Sequence, residues 1–214
     1  MKKNWDHETF NKPELVDVYI GENVYIDEGA IVGLATLDNK NPVILEDNAH
    51  IHSGAVIYAG CKIGERTHIY HNTVLMENTI VGSDTIVGTF CHCQGNLTIG
   101  NFVTIASHCH LTSYMKIEDG VFLSLGIFSG NHEFPGGRLH NVKYSDIEAP
   151  VIKKGARVGG MSMINPGVVI GQEALIGSGS VIRKEIPDFK IALGNPAKII
   201  GDVPENQKID WTDQ

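Results

Sequence analysis

Several kinds of segment are missing from this 214-residue sequence. Its first residues, MKKNWDHETFNKPELVD, begin with two lysines but have no apolar run behind them, so they do not resemble a signal peptide. No stretch approaches the roughly 18 consecutive apolar residues that a membrane span needs. We therefore expect a cytoplasmic protein without a membrane partner.

Positive charge and cysteine are also limited. The formal net charge is −8, whereas binding to a nucleic-acid backbone needs a basic surface, so we expect no nucleic-acid partner. Four cysteines at irregular spacing are too few for a disulfide framework.

A repeat of six residues runs through most of the chain. Steps of six from Leu45 to Leu123 give fourteen consecutive aliphatic residues or cysteine, and six more steps follow over residues 152–182. With three earlier steps over residues 20–32, twenty-three hexads begin in this way. Self-similarity on this scale indicates a repeat architecture.

The other positions of the hexad predict its structure. Position five is small or apolar, so positions five, six and the next position one fit a short strand that points in, out and in. Positions two to four fit a turn, and position two is glycine in nine hexads, which suggests a residue with positive φ. Three such sides close a coil of eighteen residues. The prediction is an all-β parallel β-helix, because six is a poor multiple of the α-helical period.

The same register explains the cysteines. Cys61, Cys91 and Cys109 occupy the small inward position, and Cys93 occupies the aliphatic one. Buried cysteine behaves as a small hydrophobic residue. We therefore predict that all four pack in the core and serve neither redox chemistry nor metal binding.

Breaks in the repeat divide the chain. The β-helix is predicted over residues 20–186, with excursions at 34–42 and 129–151, an N-terminal segment 1–19 before it, and a cap and tail 187–214 after it. The second excursion contains SGNHEFPGGRLHN and is longer than the loops of compact domains usually are, which favours a functional role. The first, LATLDNKNP, either touches a nucleotide or only turns a corner.

Two motifs resemble the hexapeptide-repeat acyltransferase superfamily. The closing segment INPGVVIGQEALIGSGSVIRKEIPDFKIALGNPAKIIG is similar to the end of many acetyl-CoA-dependent members. VFLSLGIFSGNHEFPGG, leading to EAPVIKKGARVGG, resembles the loop of enzymes that N-acetylate amino sugars on nucleotide carriers. The resemblance implies a left-handed β-helix, a homotrimer with sites between subunits, acetyl-CoA as co-substrate and no metal. The acceptor it implies is a nucleotide-linked amino sugar of polysaccharide biosynthesis.

The resemblance also implies catalytic residues in the second excursion. His132 matches the loop histidine of the related O-acetyltransferases, and Asn131 can fill the place of an asparagine in the amino-sugar branch. A histidine suits the removal of a proton from the acceptor, since its unperturbed pKa of about 6.5 leaves it neutral near pH 7.

Four further residues are candidates for contacts to the acceptor. Counting by eighteen places Val56, Val74, His92, His110 and Phe128 in one outward column that leads into the second excursion. His110 is therefore a candidate, with His108 in the preceding corner. The two weaker candidates are Arg138 and Glu148.

Candidate cofactor contacts follow from the family likeness. Arg183, Lys184 and Lys198 come after the last coils, where relatives bind the phosphates of CoA, and cations suit phosphate. Gly160 and Ser178 fall where relatives contact the pantetheine arm through the backbone.

Other functions remain compatible with the sequence. A sugar O-acetyltransferase is one, and a formyl or longer acyl donor is another variant. The γ-class carbonic anhydrases share the hexad, but their H-x4-H spacing is absent here, and neither His92 with His110 nor His50 with His68 has a third ligand at the expected spacing. A non-catalytic scaffold would explain the hexads but not the long loop.

Overall fold

The protein forms a triangular β-helix in the computed structural model, which describes residues 14–133 and 147–212. Each coil contributes one short strand to each of three sheets, so that the first 24 strands make eight coils, β1–β3 to β22–β24. Strands one coil apart pair in parallel. The predicted in, out, in pattern is confirmed from β4 to β24, where the two inward positions of each hexad are buried and the residue between them is not. In the first coil the inward Ile20 and Ile26 are exposed.

The three sheets are named here by the order in which the chain visits them. The first sheet contains β1 (Val18–Ile20), β4 (Val43–Leu45), β7 (Lys62–Ile63), β10 (Ile80–Val81), β13 (Thr98–Ile99), β16 (Lys116–Ile117), β19 (Val151–Ile152) and β22 (Val169–Ile170). The second sheet contains β2 (Tyr25–Ile26), β5 (His50–Ile51), β8 (His68–Ile69), β11 (Ile86–Val87), β14 (Thr104–Ile105), β17 (Phe122–Leu123), β20 (Arg157–Val158), β23 (Leu175–Ile176), β25 (Lys190–Leu193) and β26 (Lys198–Asp202). The third sheet contains β3 (Ile31–Leu34), β6 (Val56–Tyr58), β9 (Val74–Leu75), β12 (His92–Cys93), β15 (His110–Leu111), β18 (Phe128–Ser129), β21 (Met163–Ile164) and β24 (Val181–Ile182).

The core is the interior of the triangle, filled by the two inward columns of the repeat. All four cysteines are buried there with free thiols, which confirms that they serve packing. Burial raises the pKa of the Cys61 thiol to about 12. A thiol with such a pKa stays protonated near pH 7 and is therefore a poor nucleophile.

The left-handed backbone conformation lies at the fourth position of the hexad. From residue 48 to residue 126, all fourteen residues at this position have positive φ, and only some are glycine. Asparagine takes the position four times, at Asn48, Asn72, Asn78 and Asn96. Asparagine tolerates this conformation better than most residues with a Cβ.

Glycine at the second position has a different cause from the predicted one. Eight of the nine glycines at this position, all except Gly33, do not have positive φ. The prediction that these glycines adopt positive φ was therefore wrong. The reason is close approach between coils. A Cβ on Gly64 would lie 2.5 Å from the Gly82 carbonyl carbon, and a Cβ on Gly171 would lie 2.4 Å from the Asp188 nitrogen.

Both excursions leave the rod at the same corner, between the third sheet and the first. The first leads from β3 to β4 and the second from β18 to β19. In the first, the buried Asn39 side chain donates to the Ala59 carbonyl at 3.2 Å and to Asn78 Oδ1 at 2.8 Å, and its own Oδ1 accepts from the Asn41 N–H. This loop therefore packs against the next coils.

The chain after the last coil covers the rod and then turns back along it. β25 pairs in parallel with β23, and β26 pairs antiparallel with β25. The tail then returns over earlier coils, where the Trp211 indole N–H donates to Glu173 Oε1 at 2.9 Å and Lys154 Nζ lies 3.9 Å from the indole centroid. Among the described residues, no helix is long and apolar enough to cross a membrane.

Candidate active site

The two arms of the second excursion meet at its root. The Glu148 N–H donates to the Asn131 carbonyl at 2.9 Å, and the Gly167 N–H of the next coil donates to the Glu148 carbonyl at 2.6 Å. These bonds fix Asn131, His132 and Glu148 relative to the rod. Residues 134–146, which include Arg138, lie outside the described residues.

His132 and Asn131 form a direct side-chain pair. His132 Nδ1 lies 2.9 Å from Asn131 Oδ1. An amide oxygen can only accept, so Nδ1–H of the imidazole donates, and the other ring nitrogen of the neutral ring carries the lone pair. Asn131 therefore selects the tautomer in which His132 Nε2 can accept a proton.

A cavity of about 360 Å³ opens next to this segment, and its wall includes Glu133 but neither Asn131 nor His132. It is lined by Glu133, Glu148, Asn165, Pro166 and Arg183, which come from the excursion and from the two coils above it. Glu148, a predicted contact to the acceptor, and Arg183, a predicted contact to the phosphates of CoA, thus line the same cavity. Glu133 and Asn165 were not predicted, although Glu133 directly follows His132.

The predicted histidine column is present on the third sheet. His92 pairs in register with His110, and His110 with Phe128, immediately below the excursion root. The His92 and His110 rings stack at 5.0 Å between centroids. Burial lowers the pKa of His92. The pKa of His110 is lowered mainly by burial and to a smaller extent by the charge of His92. Both rings therefore favour the neutral form.

The corner between the second and third sheets holds three other candidates. His108 is exposed and stacks on Phe90 at 5.2 Å between ring centroids. Two coils further on, the Gly160 carbonyl accepts from the Gly179 N–H at 2.8 Å, and the exposed Ser178 precedes Gly179. Gly160 and Ser178 are thus neighbours on adjacent coils, on a different edge from His132.

The remaining basic candidates lie at the end of the rod. Lys184 is exposed next to Arg183, and Lys198 is exposed at the start of β26. The Ala197 N–H donates to the Val181 carbonyl at 2.9 Å, which brings the chain before Lys198 beside the last coil.

Comparison with known proteins finds one family model that resembles parts of this chain. The family model "Bacterial transferase hexapeptide (six repeats)" matches residues 42–77 and 149–184, on both sides of the second excursion. The predicted resemblance to hexapeptide-repeat proteins is therefore confirmed.

Two curated relatives show the likeness in sequence. The dTDP-3-amino-3,6-dideoxy-alpha-D-galactopyranose 3-N-acetyltransferase of Aneurinibacillus thermoaerophilus is 49% identical over 51 residues, which are 24% of this chain and 27% of the relative. The bifunctional protein GlmU of Rubrobacter xylanophilus is 35% identical over 95 residues, 44% of this chain and 19% of the relative. The chain thus spans less than a third of the length of these two relatives.

A solved structure shows the likeness in fold. The UDP-N-acetylglucosamine acyltransferase from Campylobacter jejuni has a TM-score of 0.53 and 18% identity, over 91% of this chain and 79% of that chain. The chain is a left-handed parallel β-helix, as predicted.

Proposed function

We propose that this protein is an acetyl-CoA-dependent acyltransferase that acetylates an amino group of a nucleotide-linked sugar. The observation that carries the proposal is the Asn131–His132 pair at the root of the second excursion, beside a cavity with two carboxylates. The partial match to a nucleotide-sugar N-acetyltransferase supports the same acceptor class.

His132 would act as the general base. The acceptor nitrogen attacks the thioester carbonyl carbon of acetyl-CoA, a C–N bond forms, and the C–S bond breaks. The neutral amine attacks, His132 Nε2 takes the one proton that the nitrogen loses, and the protonated imidazole returns this proton to the leaving thiolate to give free CoA. Asn131 has a positioning role, because its amide oxygen holds Nδ1–H and leaves Nε2 free.

The charge of the cavity favours an amine over a hydroxyl. Glu133 and Glu148 line it with Arg183 as the one cation among the described lining residues. An amino sugar is largely protonated near pH 7, since simple α-amino groups have pKa values of about 7.7–8.0. The carboxylates would attract that ammonium, whereas a neutral hydroxyl gains less. The bound ammonium must release one proton to solvent before its nitrogen attacks, because a protonated amine has no lone pair. A sugar O-acetyltransferase is therefore the second choice.

CoA would bind along the late coils. Lys198 and Lys184 offer cations for its phosphates, with Arg183 between them and the cavity. Gly160 and Ser178 would contact the pantetheine arm on the neighbouring edge. This assignment carries over the family positions, and no metal takes part in it.

The subunit arrangement in this proposal is a homotrimer with the site between rods. Large apolar side chains are exposed near the histidine column, as such an interface requires. They include Phe90, Leu125, Phe128, Met161 and Met163. The neighbouring rod would cover this surface and complete the acceptor site around His110 and His108.

The test is a CoA-release assay with a matched pair of acceptors. Each nucleotide-linked amino sugar is compared with the same nucleotide sugar that bears a hydroxyl at that carbon, with acetyl-CoA as donor. We expect turnover on an amino sugar, and a product that resists alkaline hydroxylamine, because this reagent cleaves oxygen esters but leaves amides intact. A hydroxylamine-sensitive product from the hydroxyl acceptor would favour O-acetylation instead.

The cofactor assignment has its own variant. Lys198→Ala should raise the KM for acetyl-CoA with little change in kcat, since it removes a contact to the cofactor and none to the reacting atoms. Lys116→Ala, on the outward side of the first sheet, is the matched control. Absence of CoA binding by the wild-type protein and of turnover on any acceptor would contradict the acyltransferase proposal.

A further inference from the structure

Three histidines and an aspartate form a second cluster, at the N-terminal end of the rod. His50, His52 and His68 each place a ring nitrogen within 4.8 Å of the others. Asp27 contacts both His50 and His52. His50 and His52 are only partly exposed, with 26% and 14% of their side-chain surface accessible. Neither the excursions nor the histidine column of the third sheet contributes to this cluster.

The repeat explains why these residues meet. His50 and His68 are outward residues of neighbouring strands in the second sheet and are direct partners in the parallel register. His52 comes from the turn that follows β5, and its ring folds back over the sheet to stack on His50 at 3.8 Å between centroids. The third histidine therefore arrives from a turn, where the eighteen-residue spacing gives no signal.

The distances suit a metal with nitrogen ligands. His52 Nε2 lies 3.3 Å from His68 Nδ1. Two nitrogens at ~2.05 Å from a tetrahedral Zn²⁺ are separated by roughly 3.3 Å. The pair thus already has the spacing of two ligands, and a ring nitrogen of His50 lies within 4.8 Å of both.

Asp27 occupies the position of a supporting carboxylate. Its Oδ2 lies 3.4 Å from His52 Nδ1, and its Oδ1 lies 2.8 Å from His50 Nε2. When a carboxylate holds one ring nitrogen of a histidine, the other nitrogen is oriented as a ligand. For His52 that other nitrogen is Nε2, which faces His68.

We propose that His50, His52 and His68 form a binding site for a divalent transition metal such as Zn²⁺, oriented by Asp27. Imidazole ligands suit Zn²⁺, Cu²⁺ and Ni²⁺ and are unsuited to Mg²⁺ and Ca²⁺. The metal would link three successive coils, because Asp27 belongs to the first, His50 and His52 to the second and His68 to the third. Its role is to stabilise the N-terminal end of the rod, and the acyl transfer does not use it.

The molecule contains its own comparison. His92 and His110 are also in-register partners with stacked rings, but the turn after β12 contributes Gln94, and no third histidine joins them among the described residues. A two-histidine site binds a divalent metal much more weakly than a three-histidine site. His92→Gln is therefore the matched control for variants of the cluster.

The experiment titrates CoCl₂ into metal-free protein from which any affinity tag has been removed. We expect one Co²⁺ per chain, with the absorption bands of four-coordinate cobalt, and displacement by ZnCl₂. His52→Gln should weaken the apparent Kd at least 100-fold, and Asp27→Asn should weaken it about 10- to 100-fold, as for other supporting carboxylates. His92→Gln should bind as the wild type does.

A melting curve provides the second readout. Zn²⁺ should raise the Tm of the wild-type protein and of His92→Gln, and it should leave the Tm of His52→Gln unchanged. His50→Gln and His68→Gln repeat the test if His52→Gln does not fold. Wild-type protein that binds no Co²⁺, or that binds it equally well after His52→Gln, would show a metal-free hydrogen-bonded cluster and overturn the proposal.

Discussion

The two excursions leave the rod at the same corner, yet their polar side chains are used in opposite ways. In the first, Asn39 is buried and its amide bonds to Ala59, Asn78 and Asn41. In the second, Asn131 bonds to His132, and the pair lies beside a cavity lined by carboxylates.

The first excursion therefore contributes to stability, whereas the second carries the proposed general base. The Asn39 amide makes three hydrogen bonds within the chain, which hold the first excursion against the next coils. The free nitrogen of His132 has no such partner among the described residues and can accept a proton. Predictions for the two loops should therefore divide between stability and activity.

The largest expected effect is on catalysis at His132. His132→Ala should lower kcat by 10²-fold or more on the nucleotide-linked amino sugar, because it removes the proposed general base. Steady-state CoA release measures the loss. The midpoint of urea unfolding should change little, since His132 is only partly buried at a loop root.

The Asp38→Ala variant of the first excursion is the matched control for this assay. Asp38 is an exposed loop residue and should retain wild-type kcat and stability. Full activity in His132→Ala would transfer the proton-accepting role away from His132 and remove the chemical distinction between the two loops.

The next effect is on stability at Asn39. Asn39→Ala removes a buried amide and leaves the Ala59 carbonyl and Asn78 with fewer partners, which should cost about 1–3 kcal/mol of unfolding free energy. Urea titration measures this loss, and kcat should be unchanged. A variant that keeps full stability but loses turnover would indicate that the first excursion touches the nucleotide.

A smaller catalytic effect is expected at Asn131. Asn131→Ala should lower kcat about 10-fold with KM nearly unchanged, because His132 remains but is no longer held in one tautomer. Asn131→Asp keeps an acceptor oxygen and should recover most of the activity. Equal losses in both variants would point to a direct contact between the Asn131 amide and the acceptor.

The regular part of the molecule was predictable because every coil repeats the same physical constraint. An inward aliphatic column, an inward small column and a turn fix the period, the strands and the burial of Cys61 and Cys93. The His92, His110 and Phe128 column followed from counting by eighteen. Contacts that join residues a fixed number of hexads apart can thus be predicted from sequence alone.

Irregular contacts could not be predicted in this way. Glycine at position two suggested a left-handed turn, whereas the close passage of the next coil excludes a side chain at Gly64. His52 joins His50 and His68 from a turn, and Asn165 lines the same cavity as Glu148. Such contacts depend on where turns and loops point, which a hexad pattern does not encode.

The smallest expected effect concerns the histidines below the second excursion. Burial lowers the pKa of His92 and His110 from the ordinary 6.5, so in the folded state they bind protons less readily than in the unfolded state. The unfolded chain therefore takes up more protons as the pH falls below about 6.5, and stability decreases with it. At higher pH both states are neutral, and this contribution disappears.

His92→Gln should make this acid sensitivity weaker. Urea unfolding near pH 7.5 and near pH 5.5 should show a smaller loss of stability in the variant than in the wild type. Thr98→Gln, at the equivalent outward position of another sheet, should retain the wild-type difference. An unchanged difference in His92→Gln would mean that other groups govern acid stability. In that outcome, the histidine column would differ from the first excursion in its position on the rod and not in its effect on acid stability.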